Sequence, residues 1–121
     1  MSHKELEDYL LSKPGSWLDY PFGEDTAVYK VGSKKTGKMF ALIKNGSDPA
    51  VVSLKCTPEL AEHLREEYNT VMPGYHMNKK YWNTIVTTGE VEQEYMLSLV
   101  DLSYRLVVES LSKDEQALLT H

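Results

Sequence analysis

The amino-acid sequence predicts an α+β fold, an antiparallel β-sheet meander covered by helices, in a single domain over residues 1–121. Three observations carry that reading. A chain of 121 residues with 41% hydrophobic and 26% charged content has the size and balance of one globular unit. Its middle holds three short strand-like runs separated by glycine-bearing turns. Apolar residues at three-to-four spacing precede and follow them, the pattern of helices with one buried face. Strands grouped between helices point to helices packed on an antiparallel sheet.

Taken in order, residues from about 2 to 12 are expected to form a short helix. Leu6, Tyr9 and Leu10 share a face, and Pro14-Gly15 stops it. Residues 16–23 are aromatic without a period and are expected to be an ordered loop packed down by Trp17, Tyr20 and Phe22. Residues 27–31 alternate as a first strand. The turn 32–37 leads to a second strand over 38–43, and Asn45-Gly46, tolerant of positive φ, signals a hairpin into a third over 50–55. Thr57-Pro58 opens a second helix: threonine can cap the free amides, and proline at the first helical position forfeits no hydrogen bond. Leu60, Leu64 and Tyr68 are its apolar stripe. After Pro73-Gly74, residues 82–87 read as a strand ended by Gly89. A last helix from about 92 to 111 is expected to bury Tyr95, Leu99, Leu102 and Leu106, with Val107 beside them, leaving 113–121 as a loose C-terminal tail.

Charge and composition narrow the function. The net charge is −5, yet residues 27–57 carry six lysines against one aspartate, while both ends of the chain are acidic. No apolar run exceeds Met39-Phe40-Ala41-Leu42-Ile43, far short of the roughly twenty residues of a membrane span. The charged N-terminus lacks a signal peptide's apolar region, so a cytoplasmic protein with no membrane partner is expected. One cysteine, Cys56, and four scattered histidines give no metal site and no disulfide framework within the chain. No phosphate loop, dinucleotide fingerprint, nucleophile elbow or metalloprotease motif is present, so no cofactor is expected and the protein is read as non-enzymatic.

The chemistry-bearing segment is residues 73–85, Pro-Gly-Tyr-His-Met-Asn-Lys-Lys-Tyr-Trp-Asn-Thr-Ile. It interleaves Tyr75, Tyr81 and Trp82 with His76, Asn78, Lys79, Lys80 and Asn83. Lysines neutralise phosphate, rings stack and amides read polar edges, so this mixture suits a nucleic acid or another anionic ligand. The turn lysines Lys34, Lys35, Lys38 and Lys44 add to that inventory. An edge strand anchored by its aromatics, with wet lysines guarding against aggregation, has the same composition.

Residues 73–85, together with Asp101-Leu-Ser-Tyr-Arg-Leu-Val-Val-Glu-Ser-Leu111, the loop Asp19-Tyr-Pro-Phe-Gly23 and the strand Val28-Tyr-Lys-Val31, closely resemble the MmcQ/YjbR family of small bacterial proteins. The resemblance covers about residues 3–112. It implies a fold like that of the frataxin/CyaY group and, through a proposed double-wing arrangement, DNA binding. The wings here would be the hairpins around Lys34-Lys35-Thr36-Gly37 and Asn45-Gly46.

The leading expectation is therefore a DNA-binding or regulatory module with weak, salt-dependent affinity. Lys34, Lys35, Lys38, Lys44, Lys79 and Lys80 would contact phosphate, while His76, Asn78, Trp82 and Asn83 would shape the surface. The alternative is a protein that binds or sequesters a planar aromatic small molecule in a pocket lined by Trp17, Tyr20, Phe22, Tyr75, Tyr81 and Trp82. Frataxin-like metal binding ranks last, because the first helix offers only Glu5, Glu7 and Asp8.

Overall fold

Ser2 starts the first helix, α1 (His3–Leu11). Its hydroxyl accepts the Glu5 amide, and the Glu5 carboxylate accepts the Ser2 amide in return, the reciprocal pair of a capping box. The computed structural model describes residues 1–74 and 77–119. After α1 come β1 (Ser16–Asp19), β2 (Thr26–Val31), β3 (Lys38–Lys44), β4 (Val51–Lys55) and α2 (Pro58–Glu67). Then follow β5 (Val71–Pro73), β6 (Trp82–Val86), α3 (Gln93–Glu109) and α4 (Lys113–Leu119). The strands form one six-stranded antiparallel sheet in the order β1-β2-β3-β4-β6-β5. This is the α+β fold the sequence predicts. No helix among the described residues is long and apolar enough to cross a membrane.

Helices cover one face of the sheet, α3 across β2, β3 and β4, α1 beside β1 and α2 beside β5 and β6. Leu6 and Leu10 of α1, Leu64 of α2, and Met96, Val100 and Val107 of α3 close over Tyr29, Ala41, Ile43, Val52 and Ile85. The start of α2 is as expected, with the Thr57 hydroxyl accepting the Leu60 amide.

Four elements depart from the sequence reading. The aromatic stretch after Gly15 is partly a strand: residues 16–19 pair with 28–31 at the sheet edge, too short a run to show a period. Asn45-Gly46 does not make a two-residue hairpin. The β3–β4 connection takes residues 45–50, with Gly46 at φ +80° and the Asn45 amide and side chain bound to the Asp25 and Glu24 carbonyls. The buried stripe of α3 is Met96, Leu99, Val100, Ser103 and Val107; Tyr95, Leu102 and Leu106 flank it half-buried. Finally, the expected loose tail contains α4. The Glu115 carboxylate accepts from the Ser33 amide and Thr36 hydroxyl, Gln116 donates to the Leu111 carbonyl, and Leu119 packs at the core margin.

Candidate functional site

Side chains alternate across a strand, so residues paired directly between strands share a face. On the helix-covered face the register aligns Leu18, Tyr29, Ala41, Leu54, Asn83 and Pro73. One residue along, Asp19, Val28, Leu42, Ser53, Thr84 and Met72 form a row across all six strands on the opposite face. Among the described residues no helix packs on that face, and it holds a cleft of about 530 Å³.

Leu42, Ser53 and Thr84 form the cleft floor, with Met39 on one side of that row and Thr26, Lys44 and Val51 on the other. Loop residues make the walls. Phe22 and Asp25 come from the β1–β2 loop and Met77 from the β5–β6 connection. Phe22 is 65% exposed, and Met72, on the same row of the face, is 40% exposed. The floor has one polar feature: the Ser53 and Thr84 hydroxyls are hydrogen-bonded at 2.8 Å. Two hydroxyls sharing one such bond leave one hydrogen to donate to an occupant. At the rim Asp25 and Lys44 are both exposed, and neither belongs to an ion pair among the described residues.

The lysines of the sequence reading divide between two ends of the sheet. In a meander, consecutive turns lie at opposite ends, and β3 at seven residues separates them by about 20 Å. Lys34, Lys35 and Lys38 sit at the end where the β5–β6 connection also brings Asn78, Lys79 and Lys80. Lys44 sits at the other end and lines the cleft. The two expected wings therefore do not form one surface. The Lys34-Lys35 turn is itself docked on acidic α4 through Glu115, and those contacts hold the Glu115 carboxyl below its ordinary value, Thr36 first and Ser33 next. The Lys38 ammonium donates to the Ser110 carbonyl at 3.1 Å, and the Lys34 ammonium lies 5.0 Å from the Trp17 ring centre.

Two residues expected at a nucleic-acid surface are structural instead. Asn83 is 2% exposed: its amide donates to the Ala61 carbonyl at 3.2 Å, and its oxygen accepts from Arg65 Nε at 2.6 Å. Trp82 is 8% exposed, and its backbone carbonyl accepts from the same arginine at 3.2 Å. A tryptophan that buried has no ring face for a base to stack on. Lys79, Lys80 and Asn78 are exposed; the Asn78 side chain caps its own turn through the Lys80 amide. His76 and Tyr75 lie outside the described residues.

Of the aromatics expected to line a pocket, Phe22 does so among the described residues. Trp17 donates its indole N–H to the Gly32 carbonyl at 2.9 Å, and Tyr20 and Tyr81 are exposed away from the cleft lining. The sequence reading missed Met39, Leu42, Val51 and Met77, whose apolar character reads as ordinary core. The signal available was the alternation of the central strands. Leu42 and Val51 fall opposite to the phase of Ala41, Ile43 and Val52, so both faces of the sheet are apolar.

The Asp101-x-Ser-Tyr segment is a clamp. Asp101 accepts the Tyr9 hydroxyl at 2.6 Å and forms an ion pair with Lys13. Desolvation opposes ionisation of Asp101, but the hydrogen bonds from Lys13 and Tyr9 outweigh it and hold the carboxyl below its ordinary value. Ser103, fully buried, donates to the Phe40 carbonyl at 2.6 Å and accepts the Lys55 amide at 2.9 Å. Phe40 is the extra residue where the β2–β3 register shifts, so the α3 hydroxyl serves backbone groups that the ladder leaves without a strand partner. Tyr104 donates to the Pro14 carbonyl and meets the Phe40 ring edge-on at 5.3 Å. Cys56 is buried, and burial raises its thiol pKa. No group of three or more potential metal ligands occurs among the described residues.

With this geometry in place, comparison with known proteins assigns the lineage. A family model described as YjbR matches residues 11–106. The chain belongs to the YjbR family. It is 34% identical over 119 residues to the uncharacterized protein YjbR of Escherichia coli K12, covering 98% of each chain. It is 27% identical over 116 residues to the uncharacterized protein YyaQ of Bacillus subtilis, covering 88% of this chain and 98% of that one. The crystal structure of Deinococcus radiodurans protein DR2400 superposes with a TM-score of 0.92 at 36% identity, over 98% of this chain and 88% of that one. A Pseudomonas syringae protein gives 0.73 at 28% identity, over 88% and 99%. These YjbR-family relatives establish ancestry and fold; none of their names carries an activity.

Proposed function

We propose that this YjbR-family chain is a binding protein for a small planar or apolar molecule, held on the open face of the sheet. One observation carries the reading: the cleft of about 530 Å³ over Leu42, Val51 and the Ser53–Thr84 hydroxyl pair, walled by Phe22 and Met77. Its size falls within the range of small-molecule sites, and an apolar floor with a few fixed polar groups is their usual composition. Methionine and an exposed phenylalanine suit an occupant whose shape varies, because the thioether side chains repack at low cost. The absence of a nucleophile–base pair among the cleft residues favours binding over catalysis.

A thermal-shift screen of planar aromatics tests the proposal. A ligand at a hundred times its dissociation constant stabilises the folded state by about 2.7 kcal/mol, a shift of several degrees. Leu42→Lys, which puts a charge on the half-exposed floor, should abolish the shift while the variant still unfolds cooperatively. A flat screen, or shifts unchanged by Leu42→Lys, overturns the reading.

A second reading, DNA contact, draws support from one observation. Lys34, Lys35, Lys79 and Lys80 lie at the same end of the sheet. It predicts log K falling by about 0.9 per neutralised phosphate per decade of salt. Fluorescence anisotropy with labelled duplex at about 50 and about 200 mM salt tests it. An unchanged slope in Lys34→Ala/Lys35→Ala removes those residues from the interface.

A further inference from the structure

The rim of the cleft carries information about its occupant that the apolar floor does not. Asp25 and Lys44 are the two charged residues in the lining, and the register sets them at one end of it: Lys44 pairs with Thr26, next to Asp25. The Asn45 amide donates to the Asp25 carbonyl at 2.8 Å and fixes the two backbones relative to each other. Despite that proximity the carboxylate and ammonium are not within ion-pair distance, and neither is paired elsewhere among the described residues. Lys30, on the same face beside Met39, is by contrast bound to Asp19 at 3.0 Å. Two opposite charges held side by side and unpaired, above an apolar floor, complement a molecule bearing both charges at one end and an apolar body at the other.

Resting on the small-molecule reading above, we infer that the occupant class is an α-amino acid with a large apolar or aromatic side chain. Its carboxylate meets Lys44, its ammonium meets Asp25, and its ring lies over Leu42 and Val51 between Phe22 and Met77. The free hydroxyl hydrogen of the Ser53–Thr84 pair faces the ring side of the molecule. A side chain with one hydrogen-bond acceptor therefore gains there, while a purely hydrocarbon one displaces water from that donor without replacing its hydrogen bond and binds less well.

NMR titration of the intact chain with four related probes tests this. L-tryptophan carries both charges, tryptamine the ammonium alone, indole-3-propionate the carboxylate alone, and 3-methylindole neither. Each exposed ion pair is worth about a two- to fivefold change in affinity, so L-tryptophan should bind tightest and 3-methylindole weakest, with the singly charged probes between. Asp25→Asn should weaken L-tryptophan and tryptamine by about that factor and leave indole-3-propionate unchanged. Lys44→Met should weaken L-tryptophan and indole-3-propionate and leave tryptamine unchanged. Both positions are exposed, so both variants should fold. Equal binding of all four probes at the cleft, or a loss in either variant that ignores the probe's charge, overturns the amino-acid inference and leaves the cleft reading standing. No perturbation of Leu42, Val51 or Thr84 resonances by any probe overturns both.

Discussion

Replacing Asn83 by leucine distinguishes a structural asparagine from a surface contact. The two side chains share the same branched skeleton, with leucine the bulkier, so the substitution leaves no cavity and removes both hydrogen bonds. Asn83 makes two: a charge-assisted bond from Arg65 Nε at 2.6 Å and a neutral bond to the Ala61 carbonyl at 3.2 Å. The first is worth about 1.5–3 kcal/mol and the second about 0.5–1.5 kcal/mol, while burying leucine's extra apolar surface returns about 1 kcal/mol. The net expected loss is about 1–3 kcal/mol, or roughly 4–12 °C in Tm for a chain of this size. Urea unfolding of the two proteins, compared at equal m-values, measures it. The loss should also couple to Arg65: once Arg65 is methionine, Asn83→Leu should cost at least about 1 kcal/mol less, because their shared bond is already gone. A single-mutant effect within about 0.5 kcal/mol, the range of a surface substitution, refutes the assignment of Asn83 as a structural contact to α2.

Other consequences follow from the same contacts. Ser103→Ala should destabilise by about 1–3 kcal/mol in urea, because it strands the Lys55 amide and the Phe40 carbonyl where α3 meets the bulge. Asp101→Asn should be less stable than the parent at neutral pH by under about 1 kcal/mol, since the pair is partly exposed. The sign is fixed by the folded carboxyl lying below its ordinary value of 3.8. The parent's advantage is complete above that pH and fades as pH falls through the depressed folded value, which unfolding curves between pH 7 and pH 2 measure. Cys56 should react with a thiol reagent at pH 8 far more slowly in the native protein than in urea, because desolvation keeps the buried thiol protonated; equal rates would place it at the surface.

How far sequence reasoning reached differs between fold and site. The helix starts at Ser2 and Thr57 were readable because capping chemistry is local, a hydroxyl and an amide three residues apart. The strand at 16–19 was not, because four residues show no period and the pairing partners lie across a loop, outside any local pattern. Asn83 was the more instructive failure. An asparagine beside aromatics and lysines composes a ligand surface as readily as it composes an interior contact, and only tertiary contact with Arg65 and Ala61 decides between them. The split of the lysines was within reach, since successive turns of any meander must alternate ends, which sends Lys44 away from Lys34 and Lys35. What composition could not supply is that the second sheet face stays open. Leu42 and Val51 look like core, and nothing in their spacing reveals that no helix covers them.

The central claim is that this open face holds a small molecule. Indole is the simplest probe, and 1H–13C spectra of the methyl groups read its position directly. On adding millimolar indole, the account predicts saturable shifts at Met39, Leu42, Val51, Met77 and Thr84, with Leu6, Leu10 and Val107 on the helix-covered side unmoved. Shifts confined to the Lys34, Lys35, Lys79 and Lys80 end of the sheet, or no saturable shift anywhere, would contradict it.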